Sequence, residues 1–263
     1  MDCKPYLRAH ADELIESFAA LIRIPSVEGT PEDGAPYGRE VARCLRETLA
    51  LCEKLGFRTG NMDHRVGWCE YGEGEEMIAV LGHLDVVPAG DGWSEAEPFS
   101  GEVKNGRIYG RGAMDDKGPV VAAIYALAAL KDAGFAPARR IRILFGTNEE
   151  TGCGDMAWYR EHGGEKPVMG FTPDGEYPVI NGEKGILTGT FARRLHQTGV
   201  YRLTRLEGGT ASNVVPAYAV AELQCPADAA GRITGEKITV TPIKGGIRVE
   251  AQGVSAHGST PEQ

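Results

Sequence analysis

The sequence has no excess of basic residues: 28 Lys and Arg stand against 37 Asp and Glu, a net charge of −9. Non-specific nucleic-acid binding draws on positive charge to neutralise phosphates, so no nucleic-acid partner is expected. Long apolar runs are also missing. The longest, residues 120–130, has eleven residues, against about 20 needed to cross a bilayer. The first residues lack the apolar stretch of a secretory leader. No membrane association and a cytoplasmic location are therefore expected. Cysteine is sparse, with six at 3, 44, 52, 69, 153 and 225 and no Cys-x-x-Cys pair. That density does not make a disulfide scaffold, and reduced thiols in or near the core are expected. No Gly-x4-Gly-Lys-[Ser/Thr], His-Glu-x-x-His or Gly-x-Ser-x-Gly motif occurs. Gly110-x-Gly112 starts like a dinucleotide loop, but Asp115 stands where the third glycine belongs, and an acid there repels a pyrophosphate.

Glycine, by contrast, is plentiful, with 36 in 263 residues. No fixed glycine period exists, so tight turns and close backbone approaches are expected rather than collagen. Apolar residues at 7, 11, 14, 15, 18, 21 and 22 predict an amphipathic helix over 7–22, ended by Pro25. A second helix is predicted over 38–55. Short strands follow at 57–61 and 66–71, then a buried strand at 77–82. Past a Gly/Pro-rich loop come a helix at 117–132, a buried strand at 141–145, a helix at 153–162 and a fourth core strand at 167–171. This alternation predicts an α/β fold with a mixed, largely parallel sheet flanked by helices. Beyond 185 the texture turns strand-like, at 186–195, 201–206, 218–224, 237–242 and 246–250. A boundary is placed there, giving domains 1–184 and 185–263.

Acids and imidazole gather at the carboxyl ends of the predicted strands. His83 and Asp85 follow the strand 77–82, Asp115 and Asp116 precede the helix at 117, Glu149 and Glu150 follow 141–145, and Asp174 follows 167–171. Each has an ordinary explanation alone: a loop hydrogen bonder, a helix-start acid, an N-cap. Together they reach the edge where open α/β sheets bind ligands. Clustered carboxylates among apolar neighbours repel unless a cation neutralises them. One imidazole with several carboxylates suits Zn²⁺, with Mn²⁺ or Co²⁺ as alternatives. So many acids point to two ions sharing a carboxylate and a water.

These same residues carry a resemblance. Residues 82–88 (Gly-His-Leu-Asp-Val-Val-Pro), 110–118 (Gly-Arg-Gly-Ala-Met-Asp-Asp-Lys-Gly) and 148–152 (Asn-Glu-Glu-Thr-Gly) resemble the M20 family of di-zinc peptidases and deacylases. Residues 115–119, 170–178, 181–185 and 211–216 resemble its PepV-type dipeptidases. The resemblance implies a catalytic domain with an inserted α+β lid, begun here by 185–263. It implies that His83 and Asp174 bind one zinc, that Asp115 bridges, and that Glu150 binds the second. It implies Glu149 as general base, and Asp85 as the partner that fixes the His83 tautomer. Asn213 and His257 match lid residues that reach the substrate and its transition state, and a cis peptide is implied at Asp115–Asp116.

The implied activity is hydrolysis of dipeptides and short peptides by a water shared between the metals, with Glu149 moving the proton. An N-acyl amino-acid deacylase of the same family is the alternative. The family's second metal also takes a histidine from a returning half of the catalytic domain. His10, His64, His162 and His196 do not sit in the matching context. The expected partner is thus the remaining half or a second copy pairing through an open strand edge. A truncated metal-binding fragment, inactive alone, is the third alternative.

Overall fold

The computed structural model describes residues 2–258 and 261, except 91, 176, 183, 184, 186, 210, 211 and 213; for 227, 228, 230 and 257 the backbone alone is described. The chain divides into two compact units, Met1–Asn181 and Gly182–Gln263.

The first unit contains α1 (Lys4–Ala9), α2 (Ala11–Ile22), α3 (Arg39–Lys54), β1 (Arg58–Met62), β2 (Val66–Tyr71), β3 (Met77–His83), β4 (Glu102–Lys104), β5 (Arg107–Tyr109), α4 (Lys117–Asp132), β6 (Arg140–Gly146), α5 (Gly154–Glu161) and β7 (Met169–Phe171). Its main sheet has the order β1-β2-β6-β3-β7. β6, β3 and β7 run parallel, and β2 is antiparallel to both β1 and β6. Four of the five strands therefore share one direction and only β2 opposes them.

Of the two central strands, Met-Ile-Ala-Val-Leu-Gly-His is apolar up to its final histidine and Arg-Ile-Arg-Ile-Leu-Phe-Gly is apolar beyond Arg142, because helices cover both faces. Side chains alternate between those faces. Val80, Ile143 and Phe145 join Cys44, Leu45, Val120, Val121, Ile124 and Tyr125 in the larger core, packed by α2, α3 and α4. Met77, Ala79 and Leu144 join Val66 and Tyr159 in the smaller core under α5. α4 is apolar nearly all round, as a helix packed against both the sheet and α2 requires. Full burial of a side chain such as Ile124 is worth roughly 1.5–3 kcal/mol. The Tyr125 hydroxyl is within 2.9 Å of Ser17 Oγ on α2, so the polar end of this buried ring is satisfied.

Three local expectations change. The helix predicted over 7–22 is two helices meeting at His10, which caps α1 and turns its Nδ1 to the Tyr6 carbonyl at 2.9 Å. The Gly/Pro-rich loop contains the β4–β5 hairpin, turned at Asn105 and Gly106 with φ of 53° and 71°. Two consecutive positive φ angles are what a type I′ turn demands, and Asn-Gly supplies them. The fourth core strand is instead an edge strand: among the described residues β7 pairs only with β3, and Met169 and Phe171 are 58% and 63% exposed.

The second unit contains β8 (Arg202–Gly208), β9 (Val214–Val215), β10 (Tyr218–Gln224), a 3-10 turn (Ala227–Arg232), β11 (Ile238–Ile243), β12 (Gly246–Gln252) and β13 (Ala256–His257). Four strands form an antiparallel sheet of order β11-β12-β10-β8, with Val220 and Ile247 buried. β13 pairs with β9. The strand predicted over 186–195 does not form across 187–195, where Leu187 and Phe191 are each 98% exposed; residue 186 lies outside the described residues. An apolar run becomes a strand only where a neighbour completes its hydrogen bonds. All six cysteines are free, and Cys44, Cys52 and Cys69 are buried. Among the described residues, no helix is long and apolar enough to cross a membrane.

Candidate metal centre

β3 and β6 finish side by side, with His83 opposite Gly146. The chain then leaves β3 through His83–Asp85 and leaves β6 through Thr147–Glu150. Asp174 lies three residues beyond β7, and Asp115 and Asp116 immediately precede α4. Parallel strands thus deliver all these groups to one end of the sheet. Gly82 allows the start of α4 to press against β3. A Cβ there would lie 2.5 Å from Val120 Cγ2 and 2.6 Å from Asp116 Oδ2.

His83 is almost fully buried at the centre. Its Nε2 lies 2.9 Å from Asp115 Oδ1 and 3.4 Å from Asp174 Oδ2. Two sets of donor atoms converge within 4.8 Å of one another: His83 with Asp115 and Glu150, and His83 with Glu149 and Asp174. On its other side, His83 Nδ1 is 3.0 Å from the Asp85 carbonyl oxygen and 3.4 Å from the Asp85 carboxylate. With Nδ1–H donated there, loss of the Nε2 proton would leave that nitrogen's lone pair toward the acids, free to ligate a cation. The backbone N–H of His83 donates to Asp116 Oδ2 at 3.1 Å. The Asp115–Asp116 peptide is cis.

The Asp85 carboxylate does more than face His83. It accepts the backbone N–H of Glu149 at 3.1 Å and of Glu150 at 3.0 Å. This buried carboxylate therefore places both glutamates. A second buried acid, Asp155 in the first turn of α5, accepts N–H bonds from Thr147 at 2.6 Å, Asn148 at 3.2 Å and Met156 at 2.7 Å. It shapes the turn carrying the two glutamates, and the sequence reading did not single it out. An acid in a first helical turn was the available signal, but bonds running back to 147 and 148 require the folded turn.

The charges are strongly coupled. Burial would lower the His83 pKa, but bonds to Asp115 and Asp85 and nearby negative charge raise it to about 11. The bond to His83 holds Asp115 below the usual carboxylate range. Burial, reinforced by Asp115, lifts Glu150 to about 7, and burial lifts Asp116 to about 7. Glu149 is also raised, chiefly by burial. Asp116 Oδ1 is buried without a hydrogen-bond partner. Six carboxylates, of Asp85, Asp115, Asp116, Glu149, Glu150 and Asp174, surround one imidazole, a set matched to a multivalent cation that would displace the Nε2 proton.

His257 pairs through its backbone with Val214 in the second unit, and its side chain is not among those described. Asn213 lies outside the described residues.

Comparisons with known proteins place this geometry in context. Residues 79–254 match peptidase family M20/M25/M40. The chain is 43% identical over 220 residues to the putative dipeptidase YtjP of Bacillus subtilis strain 168, covering 82% of this chain and 47% of that protein. It is 34% identical over 274 residues to the Beta-Ala-Xaa dipeptidase of Lactobacillus delbrueckii subsp. lactis, covering 100% of this chain and 58% of that protein. The chain thus spans about half the length of these relatives. Human carnosine dipeptidase 1 shares the fold, with a TM-score of 0.57 and 23% identity, over 66% of this chain and 41% of that one. The chain belongs to peptidase family M20/M25/M40.

Proposed function

We propose that this chain forms the metal-binding part of a dipeptidase, hydrolysing the amide bond of dipeptides and short peptides. The observation that carries the proposal is the convergence of His83, Asp115, Glu149, Glu150 and Asp174 donor atoms at one sheet end. The dipeptidase names of the similar Bacillus and Lactobacillus proteins support the substrate class. His83 and Asp174 would hold one divalent cation, Glu150 the other, and Asp115 both. Zn²⁺ suits imidazole with carboxylates, and Mn²⁺ or Co²⁺ are the alternatives. When bound, such a pair supplies Lewis acidity toward an amide carbonyl and acidifies water.

Glu149 then serves as the proton carrier. Its carboxylate accepts a proton from the attacking water and returns it to the departing amine nitrogen, completing the cleavage. Partial burial raises its proton affinity, which suits a group that must hold a proton between two steps. Asp85 keeps Glu149 in place by accepting its backbone N–H, and the Asp85 carbonyl orients His83. Substrate binding by Asn213 and His257 belongs to this reading.

The test is turnover of dipeptides, against N-acetyl and N-succinyl amino acids, with Zn²⁺, Mn²⁺ or Co²⁺ supplied. Dipeptide turnover that disappears in Glu149→Gln, with ions still bound, is the expected result. Preference for the acyl compounds overturns the substrate class. Activity retained in Glu149→Gln overturns the base assignment.

A further inference from the structure

The chemistry above leaves Lys117 unused. It is the first residue of α4, directly after Asp115 and Asp116, and is 0% exposed. Removing an ammonium from water is costly, so a buried lysine persists only where acceptors meet it. Its Nζ donates to the Leu21 carbonyl at 3.0 Å and to the Ile24 carbonyl at 2.7 Å. These oxygens lie at and just past the C-terminal end of α2, where the helix dipole is negative. Both already accept a backbone N–H, from Ile24 and from Ser26 respectively. An apolar residue at 117 would strand neither carbonyl, so satisfying α2 does not explain the charge.

The same segment is tied to the other ligand loop. Ser26 Oγ donates to the Leu84 carbonyl at 2.6 Å, and the Val86 N–H donates to the Ser26 carbonyl at 3.0 Å. Leu84 and Val86 flank Asp85 and follow His83. Residues 21–26 therefore join the His83–Asp85 loop on one side and, through Lys117, the Asp115 turn on the other.

We propose that Lys117 is a positioning residue that, with residues 21–26, sets the separation of His83 from Asp115. Its consequence for metal binding rests on the metal-centre reading; the tie itself does not. Charge-assisted bonds to two fixed carbonyls define the start of α4 in a way that dispersion contacts do not.

Hydrogen exchange on the ion-free 263-residue chain tests the tie. Lys117→Met is expected to speed exchange about tenfold or more at both 84–87 and 110–116, with β2 and α5 unchanged. Ile143→Val, a core change on β6 that breaks none of these hydrogen bonds, serves as the stability control. An increase confined to 117–121, or spread evenly as in the control, overturns the proposal. Should Lys117→Met fail to fold, Ser26→Ala weakens the tie from the other side, removing the bond to the Leu84 carbonyl and keeping the backbone bond from Val86. It is expected to loosen 110–116 as well as 84–87; loosening of 84–87 alone overturns the proposal. Co²⁺ absorption supplies the second readout. A weakened, altered spectrum in Lys117→Met is expected, and an identical spectrum with unchanged affinity overturns the positioning role. A wild-type chain that takes up no Co²⁺ overturns the metal-centre reading instead, while the exchange result still decides the tie.

Discussion

Replacing Asp85 with Asn isolates the hydrogen bonds that seat the two glutamates. The carboxylate accepts N–H groups from Glu149 and Glu150 at 3.1 and 3.0 Å, from a position 1% exposed. An asparagine oxygen can keep one of them, but its NH₂ then faces the other donor. A hydrogen bond to a charged group is worth ~1.5–3 kcal/mol, and a stranded buried donor costs ~1–3 kcal/mol. Loss of one negative charge offsets part of this, since Asp85 adds to the repulsion felt by Glu149 and Glu150. The expected net destabilisation is about 2 kcal/mol. With a urea slope of about 2 kcal/mol/M, the unfolding midpoint should fall by about 1 M. Asp85→Ala strands both donors and should fall further. Equilibrium urea unfolding of the ion-free chain at neutral pH, followed by circular dichroism, measures both. An Asn variant as stable as wild type, or an Ala variant more stable than the Asn variant, would refute the reasoning.

The pH dependence has a defined sign. Without ions His83 retains its proton up to about 11, so its pairing stabilises the fold fully below the unfolded value near 6.5 and is lost as pH rises toward 11. Glu150 and Asp116 are raised to about 7, so the folded state binds more protons than the unfolded chain and these groups lose stability from acid pH up to about 7. Thermal unfolding of the ion-free protein should therefore occur at lower temperature at pH 8 than at pH 5.5, and the reverse order contradicts these shifts. Divalent cations must displace the same protons, so affinity should rise with pH across neutrality with proton release, measurable by calorimetry in buffers of different ionisation enthalpy. At a separate buried cluster, Glu70 accepts from Arg142 at 2.8 Å, Arg140 at 2.8 Å and Arg58 at 3.1 Å. Glu70→Ala takes the buried carboxylate from Arg142, which among the described residues keeps only the more exposed Glu165 at 3.1 Å, and should cost ~1.5–3 kcal/mol in urea unfolding; a change under about 1 kcal/mol argues against that pairing.

Elements whose determinants are local could be read from the sequence. β3 and the Ile143–Gly146 end of β6 are apolar because both faces are covered, and α4 matches its predicted span of 117–132 because its composition suits a buried helix. His83, Asp115, Glu149, Glu150 and Asp174 were legible as a set because each lies within a few residues of a strand's end or a helix's start, where the topology brings them to one edge. The hairpin at Asn105-Gly106 carried its own signal, hidden within a long Gly/Pro-rich stretch. Other features depend on distant partners. The exposure of β7 follows from its single neighbour, and the failure of 187–195 to form a strand follows from the lack of one among the described residues. Lys117 reads as an ordinary surface lysine until the end of α2 is brought against it, and the grip of Asp85 on two amides requires β3 and β6 to be in register.

Ion content after equilibrium dialysis, compared between wild type and His83→Ala, decides whether this cluster holds metal. His83 belongs to both donor sets, so the wild-type chain should retain Zn²⁺ and His83→Ala, still folded by circular dichroism, should lose it. Equal retention in the two proteins, or no retention in either, would contradict the assignment of this cluster as a metal centre.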